Sequence, residues 1–258
     1  MKAFIKSISL AMMFMFSSTP TVASAQGDYI VLLHGIGRNA ASMNKMEKFF
    51  TKQGYNVLNI DYPSTEKSLE DLTEHVAKKV AAFNLDKTRK IHFIGYSMGG
   101  LLVRTVLNKH RPENLGHAVL VAAPNKGSEV ADLIKDNWFY QKLYGPAGQQ
   151  LTTDQDNIEK LLGDIDYSVG VIAGDRSIDP VSYFIIPGDN DGKVAVDRTK
   201  TKGMADHITI HATHTFIMNN TEALTQAANF LKNGAFNKTA EPEPEIKSDT
   251  KHKKPYNP

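Results

Sequence analysis

Ser97 sits at the centre of G-Y-S-M-G, residues 95–99, within the longer stretch IHFIGYSMGGLLVRTVL from Ile91 to Leu107. A serine hydroxyl is a poor nucleophile until a neighbouring imidazole can take its proton. A carboxylate behind that imidazole fixes its tautomer and stabilises the imidazolium. The flanks give the pentapeptide its weight. Ile91, Phe93 and Ile94 read as a short buried strand, and Leu101, Leu102, Thr105 and Val106 fall at helical spacing ahead of Pro112. A strand, a tight glycine-flanked turn and a helix put such a serine on a sharp bend, with its oxygen above a sheet edge.

The imidazole and the carboxylate must come from other strands of the same sheet. Between Gly27 and Phe236 apolar runs alternate with amphipathic segments. Strands are expected at 29–33, 55–60, 91–94, 118–122, 169–173 and 208–211. Helices are expected at 41–52, 69–83, after the serine, and from about 216 to 231. Strands separated by helices imply parallel pairing through right-handed crossovers. The expected fold class is therefore α/β, a mostly parallel sheet with helices on both faces. One segment breaks the rhythm. From about 125 to 168 no core strand is expected, and NKGSEVADLIKDNWFYQKLYGPAGQQL carries an aromatic cluster. It reads as a helical cap-like insertion, with Trp138, Phe139 and Tyr140 as candidates to cover a pocket.

In a parallel sheet, sites form beyond the carboxyl ends of the strands. After the first strand comes His34-Gly35-Ile36-Gly37-Arg38-Asn39, and after the third comes Ser97. The fifth is followed by a stretch holding Asp175, Asp179, Asp189 and Asp191, and the sixth by His214. Of nine histidines, His207 is expected just before the last strand, at the wrong edge. His211 is expected inside that strand as a packing residue, and His34 reads as structural. His214 alone falls between the last strand and the last helix, where a general base is wanted. Asp175 and Asp191 are both placed to be the acid, and position alone does not choose between them. The DNDG of residues 189–192 opens like a calcium loop, but Lys193 and the missing terminal glutamate break that pattern. No metal and no cofactor is expected. An oxyanion formed at Ser97 would be met by the backbone N–H groups of Met98 and Ile36.

The 258-residue chain is long enough for one sizeable core. Residues 1–25 have the layout of a secretory signal peptide: Lys2 and Lys6, an apolar run from Ile8 to Phe16, and Ala23-Ser24-Ala25 before Gln26. That layout implies export, to the periplasm or the medium. The main domain is expected over 26–236. The chain contains no cysteine, which excludes a disulfide frame, a thiol nucleophile and cysteine-held metal. The net charge of +2 falls to zero without Lys2 and Lys6, and no basic stripe argues for nucleic acid. Residues 237–258 are rich in Pro, Glu and Lys and nearly free of apolar side chains. They read as a disordered charged tail.

HGIGRN, GYSMGG, AAPNKGSEVAD, PGDNDGKV and HTFIMNN, in this order and spacing, resemble the lipase and esterase branch of the α/β hydrolases. The likeness extends from Tyr29 to Leu231 and is to small bacterial serine lipases and to proteins like the GPI-inositol deacylases. Lipases of this kind often carry the triad acid in an N-D-G-x-V segment. That implies Asp191, in Asn190 to Val194, with Asp175 in reserve, and it supports His214 as the base. The oxyanion loop here is HGIG rather than HGGG, so the HGGG esterases are a poorer match. The resemblance implies a carboxylic ester hydrolase acting on a lipid or other hydrophobic acyl ester, with peripheral contact to a lipid surface. Acyl transfer or thioester cleavage by the same triad, and a non-catalytic binding module on this fold, are the alternatives.

Overall fold

The computed structural model describes residues 27–84, 86–154, 160–178 and 180–238. The expected leader and all but the first two residues of the expected tail lie outside them, as does Asp179. Six strands form one sheet in the order β2-β1-β3-β4-β5-β6, and every pair is parallel. They are β1 (Tyr29–Leu33), β2 (Asn56–Ile60), β3 (Ile91–Tyr96), β4 (Leu115–Val121), β5 (Val169–Gly174) and β6 (Asp206–Ile210). The central strands are apolar because both their faces are covered; β3 and β5 are buried along their whole length.

The helices divide between the two faces. α1 (Asn44–Lys52) and α9 (Thr221–Asn233) cover one, burying Met46 and Phe50 from the first and Leu224, Ala227 and Phe230 from the second. α2 (Leu69–Phe83) and α3 (Met98–Lys109) cover the other with Leu72, Val76, Leu101 and Val106. Local chemistry marks their ends. The Ser68 side chain accepts from the Asp71 amide at the start of α2, and Asn220 does the same for Ala223 at the start of α9. Gly234, at φ 72°, closes α9 in the left-handed conformation.

The strand order reverses at β1. The chain leaves β1 through α1 on one face toward β2, and leaves β3 through α3 on the other face toward β4. The two exits diverge and open a crevice above the carboxyl ends of β1 and β3.

Several boundaries differ from the sequence reading. A turn of 3-10 helix (Ala40–Met43) precedes α1, and the final helix is two, α8 (His214–Ile217) and α9. β6 begins at Asp206, because its residues pair with β5 from Gly170 onward. His207 therefore lies in the strand and His211 follows it, the reverse of the expected placement. Between β4 and β5 run α4 (Glu129–Ile134) and α5 (Trp138–Gln149), the latter broken at Gly145, φ 60°. A side chain at Gly145 would meet the Thr65 carbonyl oxygen at 1.8 Å. Between β5 and β6 lie α6 (Pro180–Ile185) and α7 (Val196–Thr199), joined by the segment that carries Asp191.

Candidate active site

Ser97 occupies the bend between β3 and α3 with φ 54° and ψ −125°. A non-glycine residue held there costs of order 1–3 kcal/mol, which the surroundings must offset. They do so from both sides of the bend. The Ser97 amide donates to the Val121 carbonyl at 2.8 Å, and the Ser97 carbonyl accepts from Gly100 at 2.9 Å. The flanking glycines are obligatory for space. A Cβ on Gly95 would fall 2.3 Å from the Gly99 carbonyl oxygen, and one on Gly99 would fall 2.3 Å from that of Leu33. The elbow is thus wedged between its own strand and β1.

The fold brings His214 and Asp191 to this serine. His214 Nε2 lies 3.0 Å from Ser97 Oγ, and His214 Nδ1 lies 2.7 Å from Asp191 Oδ2. Asp191 accepts at Nδ1–H, which leaves Nε2 as the acceptor for the serine O–H. The other Asp191 oxygen, Oδ1, accepts the amides of Lys193 at 3.0 Å and Val194 at 2.8 Å. An Asx turn around Gly192 shapes that segment, with Asn190 Oδ1 accepting the Gly192 amide at 3.0 Å. The His214 amide in turn donates to the Asp191 carbonyl at 2.8 Å, so backbone as well as side chain couples the two residues. Tyr96 donates its hydroxyl to the His214 carbonyl at 2.8 Å and lies beside the imidazole at 5.3 Å between ring centres. Burial pushes the Tyr96 phenol well above its ordinary pKa, so it remains a donor.

Asp175, the reserve acid, stands elsewhere. It pairs with His211 at 2.9 Å on the surface. The reason is distance along the chain: Asp175 follows β5 at once, beside the end of β6, whereas the α6 detour carries Asp191 back over the elbow.

The loop after β1 forms the facing wall. Gly35 and Ile36 line the same cavity as Ser97 and His214. None of the turn and loop backbone hydrogen bonds among the described residues uses the amide of Ile36 or of Met98. The loop is clamped from β2. Tyr62 donates its hydroxyl to the His34 carbonyl and stacks on the His34 ring at 4.0 Å, and Gly37 donates to Ser64 Oγ at 3.1 Å. Burial holds His34 below its ordinary pKa, hence neutral. Tyr62 and Ser64 escape sequence reasoning, since they belong to a strand exit with no motif of its own.

The cavity is open to solvent and has a volume of about 190 Å³. Besides the residues above, Pro124, Ser128, Val130, Ala131, Tyr144 and Leu151 line it, with Arg38, Lys193, Val194 and Thr215, so the lining mixes apolar, polar and cationic side chains. Of the three aromatic residues expected to cover a pocket, only Trp138 has a described side chain. Trp138 is 71% exposed and does not line the cavity, because α5 presents it before the break at Gly145. The side chains of Phe139 and Tyr140 lie outside the described residues.

A serine, an imidazole and a buried carboxylate in series, beside the amides of Ile36 and Met98 and a cavity of mixed lining, can carry acyl chemistry. The fold has solved relatives. A lipase of Bacillus licheniformis in its mature form superimposes with TM-score 0.69 at 21% identity, over 80% of this chain and 92% of that one. A metagenomic carboxyl esterase matches with TM-score 0.67 at 16% identity, over 80% and 76% of the two chains. A phospholipase of Legionella pneumophila matches at 0.63 and 17%, over 78% and 56%. The family model for palmitoyl protein thioesterase matches residues 29–162, more than half of the chain. The chain is an α/β hydrolase of the lipase, esterase and thioesterase kind and belongs to the palmitoyl protein thioesterase family.

Proposed function

We propose that this hydrolase cleaves hydrophobic acyl esters by a Ser97–His214–Asp191 triad through an acyl-enzyme. The observation that carries the reading is the unbroken chain from Asp191 Oδ2 to His214 Nδ1 at 2.7 Å and from Nε2 to Ser97 Oγ at 3.0 Å, on a strained elbow that opens into a cavity partly lined by apolar side chains. Ser97 Oγ attacks the acyl carbonyl as its proton passes to His214 Nε2. The carbonyl oxygen becomes an oxyanion, which the amides of Ile36 and Met98 receive. The intermediate collapses and the leaving alcohol takes the proton from Nε2. Water then repeats the cycle on the Ser97 ester, with His214 again the base, and frees the acid. Asp191 keeps its charge throughout and steadies the imidazolium.

Cleavage of thioesters by the same steps is a second reading, favoured by the name of the matching family. A thiolate leaves more readily than an alkoxide, so the geometry needs no change. Ile178 and Phe216 are 68% and 63% exposed beside a shallow groove along His214, which supports peripheral contact with a lipid surface. The leader-like residues 1–25 support work outside the cytoplasm; a secreted or periplasmic chain starting at Gln26 would test that.

The test of the mechanism is hydrolysis of p-nitrophenyl esters and of matched acyl thioesters by the purified chain, beside Ser97→Ala. Activity lost in the variant and covalent labelling of Ser97 by a fluorophosphonate are expected. A folded wild-type chain that neither hydrolyses nor labels would leave only the non-catalytic module. Transfer of the acyl group to an added alcohol in preference to water would point to an acyltransferase.

A further inference from the structure

Two cations border the cavity at Ser97, and neither holds a carboxylate. Among the described residues the lining includes Arg38 and Lys193 but no aspartate or glutamate. Elsewhere Arg89, Arg111 and Arg198 are paired, with Asp86, Asp166 and Glu129. Arg38 and Lys193 form no ion pair with any described residue. Asp191, two residues from Lys193, turns its oxygens to His214 and to main-chain amides instead.

Both cations stand near the base. Arg38 ends the glycine-rich loop after β1, where its amide donates to the Gly35 carbonyl at 3.3 Å. Its guanidinium carbon lies 5.9 Å from the centre of the Tyr96 ring, and that ring lies 5.3 Å from the His214 ring. Lys193 borders the cavity and also the shallow groove along His214. Its amide goes to Asp191 Oδ1, and its carbonyl accepts from Ser128 Oγ at 2.9 Å. The ammonium is therefore the polar group that Lys193 has left for a ligand. In a serine hydrolase the leaving group takes its proton from the base, so it must lie against the imidazole. The part of the substrate nearest these two cations is then the leaving group rather than the acyl chain.

We infer that Arg38 and Lys193 form an anion subsite for the leaving group, and that the preferred substrate is an acyl ester of an alcohol bearing a phosphate monoester. The inference rests on the serine-hydrolase reading above. A guanidinium meets phosphate oxygens through a planar fork of N–H donors, and an ammonium adds a point charge. A phosphate monoester carries about −1.5 to −2 near pH 7, which two cations match; a carboxylate carries only one charge. The phosphate can belong to a lipid headgroup or to a soluble ester, since the chemistry at the subsite is the same.

The experiment is kcat/KM of the full chain for hexanoylglycerol phosphate against hexanoylglycerol in solution, and for oleoylglycerol phosphate against oleoylglycerol in phosphatidylcholine vesicles. The hexanoyl ester of 3-hydroxypropanoate supplies the carboxylate control. Arg38→Gln, Lys193→Gln, the double variant and Ser97→Ala run alongside, with circular dichroism as the check of folding. The readout is the ratio of phosphorylated to neutral ester within each variant, so a general loss of activity cancels. In the wild type the ratio should be on the order of ten- to a hundredfold. It should fall most in Arg38→Gln, less in Lys193→Gln because Lys193 is exposed, and shrink as salt is raised. A preference in both pairs, or in the soluble pair alone, assigns the subsite to a free phosphate ester; one confined to vesicles assigns it to a headgroup. A wild-type ratio within about twofold of one in both pairs overturns the inference whether or not the variants fold. So does a ratio that the folded double variant keeps, or a carboxylate ester cleaved as well as the phosphate. In each of those cases hydrolysis that is lost in Ser97→Ala leaves the serine mechanism standing. A folded wild type that hydrolyses no ester and takes no fluorophosphonate overturns the mechanism and this inference together.

Discussion

Two aspartate–histidine pairs sit on the same edge of the sheet, and their contact distances are nearly equal. Asp191 meets His214 Nδ1 at 2.7 Å, and Asp175 meets His211 Nδ1 at 2.9 Å. Everything around them differs. The Asp191 and His214 side chains are 1% and 13% exposed, those of Asp175 and His211 34% and 74%. Asp191 has two further amide donors, and His214 has a serine on its second nitrogen. A charge–imidazole contact in water is screened and contributes little, whereas the same contact out of water orients the ring and holds its tautomer. Only the first pair is withdrawn from water and set against a serine hydroxyl.

The comparison can be broken at its centre first. Ser97→Ala and His214→Ala should each lower kcat on the order of 10⁴- to 10⁶-fold, read by ester hydrolysis with circular dichroism as the check of folding. Asp191→Asn should cost about 10⁴-fold, because an amide there supports the wrong tautomer. Asp175→Asn, the matching change in the exposed pair, should leave kcat/KM within about twofold and stability within about 0.5 kcal/mol. Equal losses from the two aspartate variants would show that burial is not what separates the pairs.

A third histidine sharpens the role of burial. His92 is 3% exposed at the opposite edge of the sheet; its Nδ1 accepts the His117 amide at 2.9 Å and its Nε2 lies 3.7 Å from Asp28. Burial outweighs the partly exposed Asp28 and lowers its pKa to about 4. The sign follows from linkage. Between about pH 6.5 and 4 the unfolded chain binds a proton here that the folded chain refuses. Stability is full above pH 6.5 and falls as pH drops through that window, by up to about 3 kcal/mol from this group. His34, His117 and His207, also lowered by burial, act in the same direction. Urea melts at pH 7 and pH 4.5 should show a smaller loss in a folded His92→Gln variant than in the wild type. An equal loss would remove His92 from the account.

The smallest effect concerns the elbow itself. Ser97→Gly should be about 1 kcal/mol more stable than Ser97→Ala, since both lack the hydroxyl but only glycine adopts φ 54° without strain. Equal melting midpoints would mean that the bend is relaxed.

The elbow was legible because its signal is local: two glycines, a serine, an apolar run before and a helical period after, all within the span of one turn. The alternation of strands and helices was legible for the same reason, and it implied the parallel sheet. The choice of acid was not. Asp175 and Asp191 both follow β5, and which one reaches His214 depends on the path of α6 over the sheet edge, a path set by packing between distant segments. The resemblance to lipases pointed to Asp191 where spacing alone could not. The histidines show the limit most sharply. A two-residue error in where β6 starts exchanged the settings of His207 and His211, because strand ends are fixed by pairing with a neighbour rather than by the strand's own residues. Trp138 shows it too: its size drew attention, but the break at Gly145 decides which side chains of α5 face the cavity, and that break is fitted to the carbonyl of Thr65.

By itself, then, the sequence determined the α/β class, the strand–turn–helix elbow around Ser97, the glycine-rich loop after β1 and the place of His214 after the last strand. Each is written in the short-range order of residue types, where backbone sterics and periodicity act. Only the tertiary structure decided which aspartate stands behind His214 and which residues line the cavity beside Ser97, because those follow from contacts between segments far apart in the chain, made as the core closes.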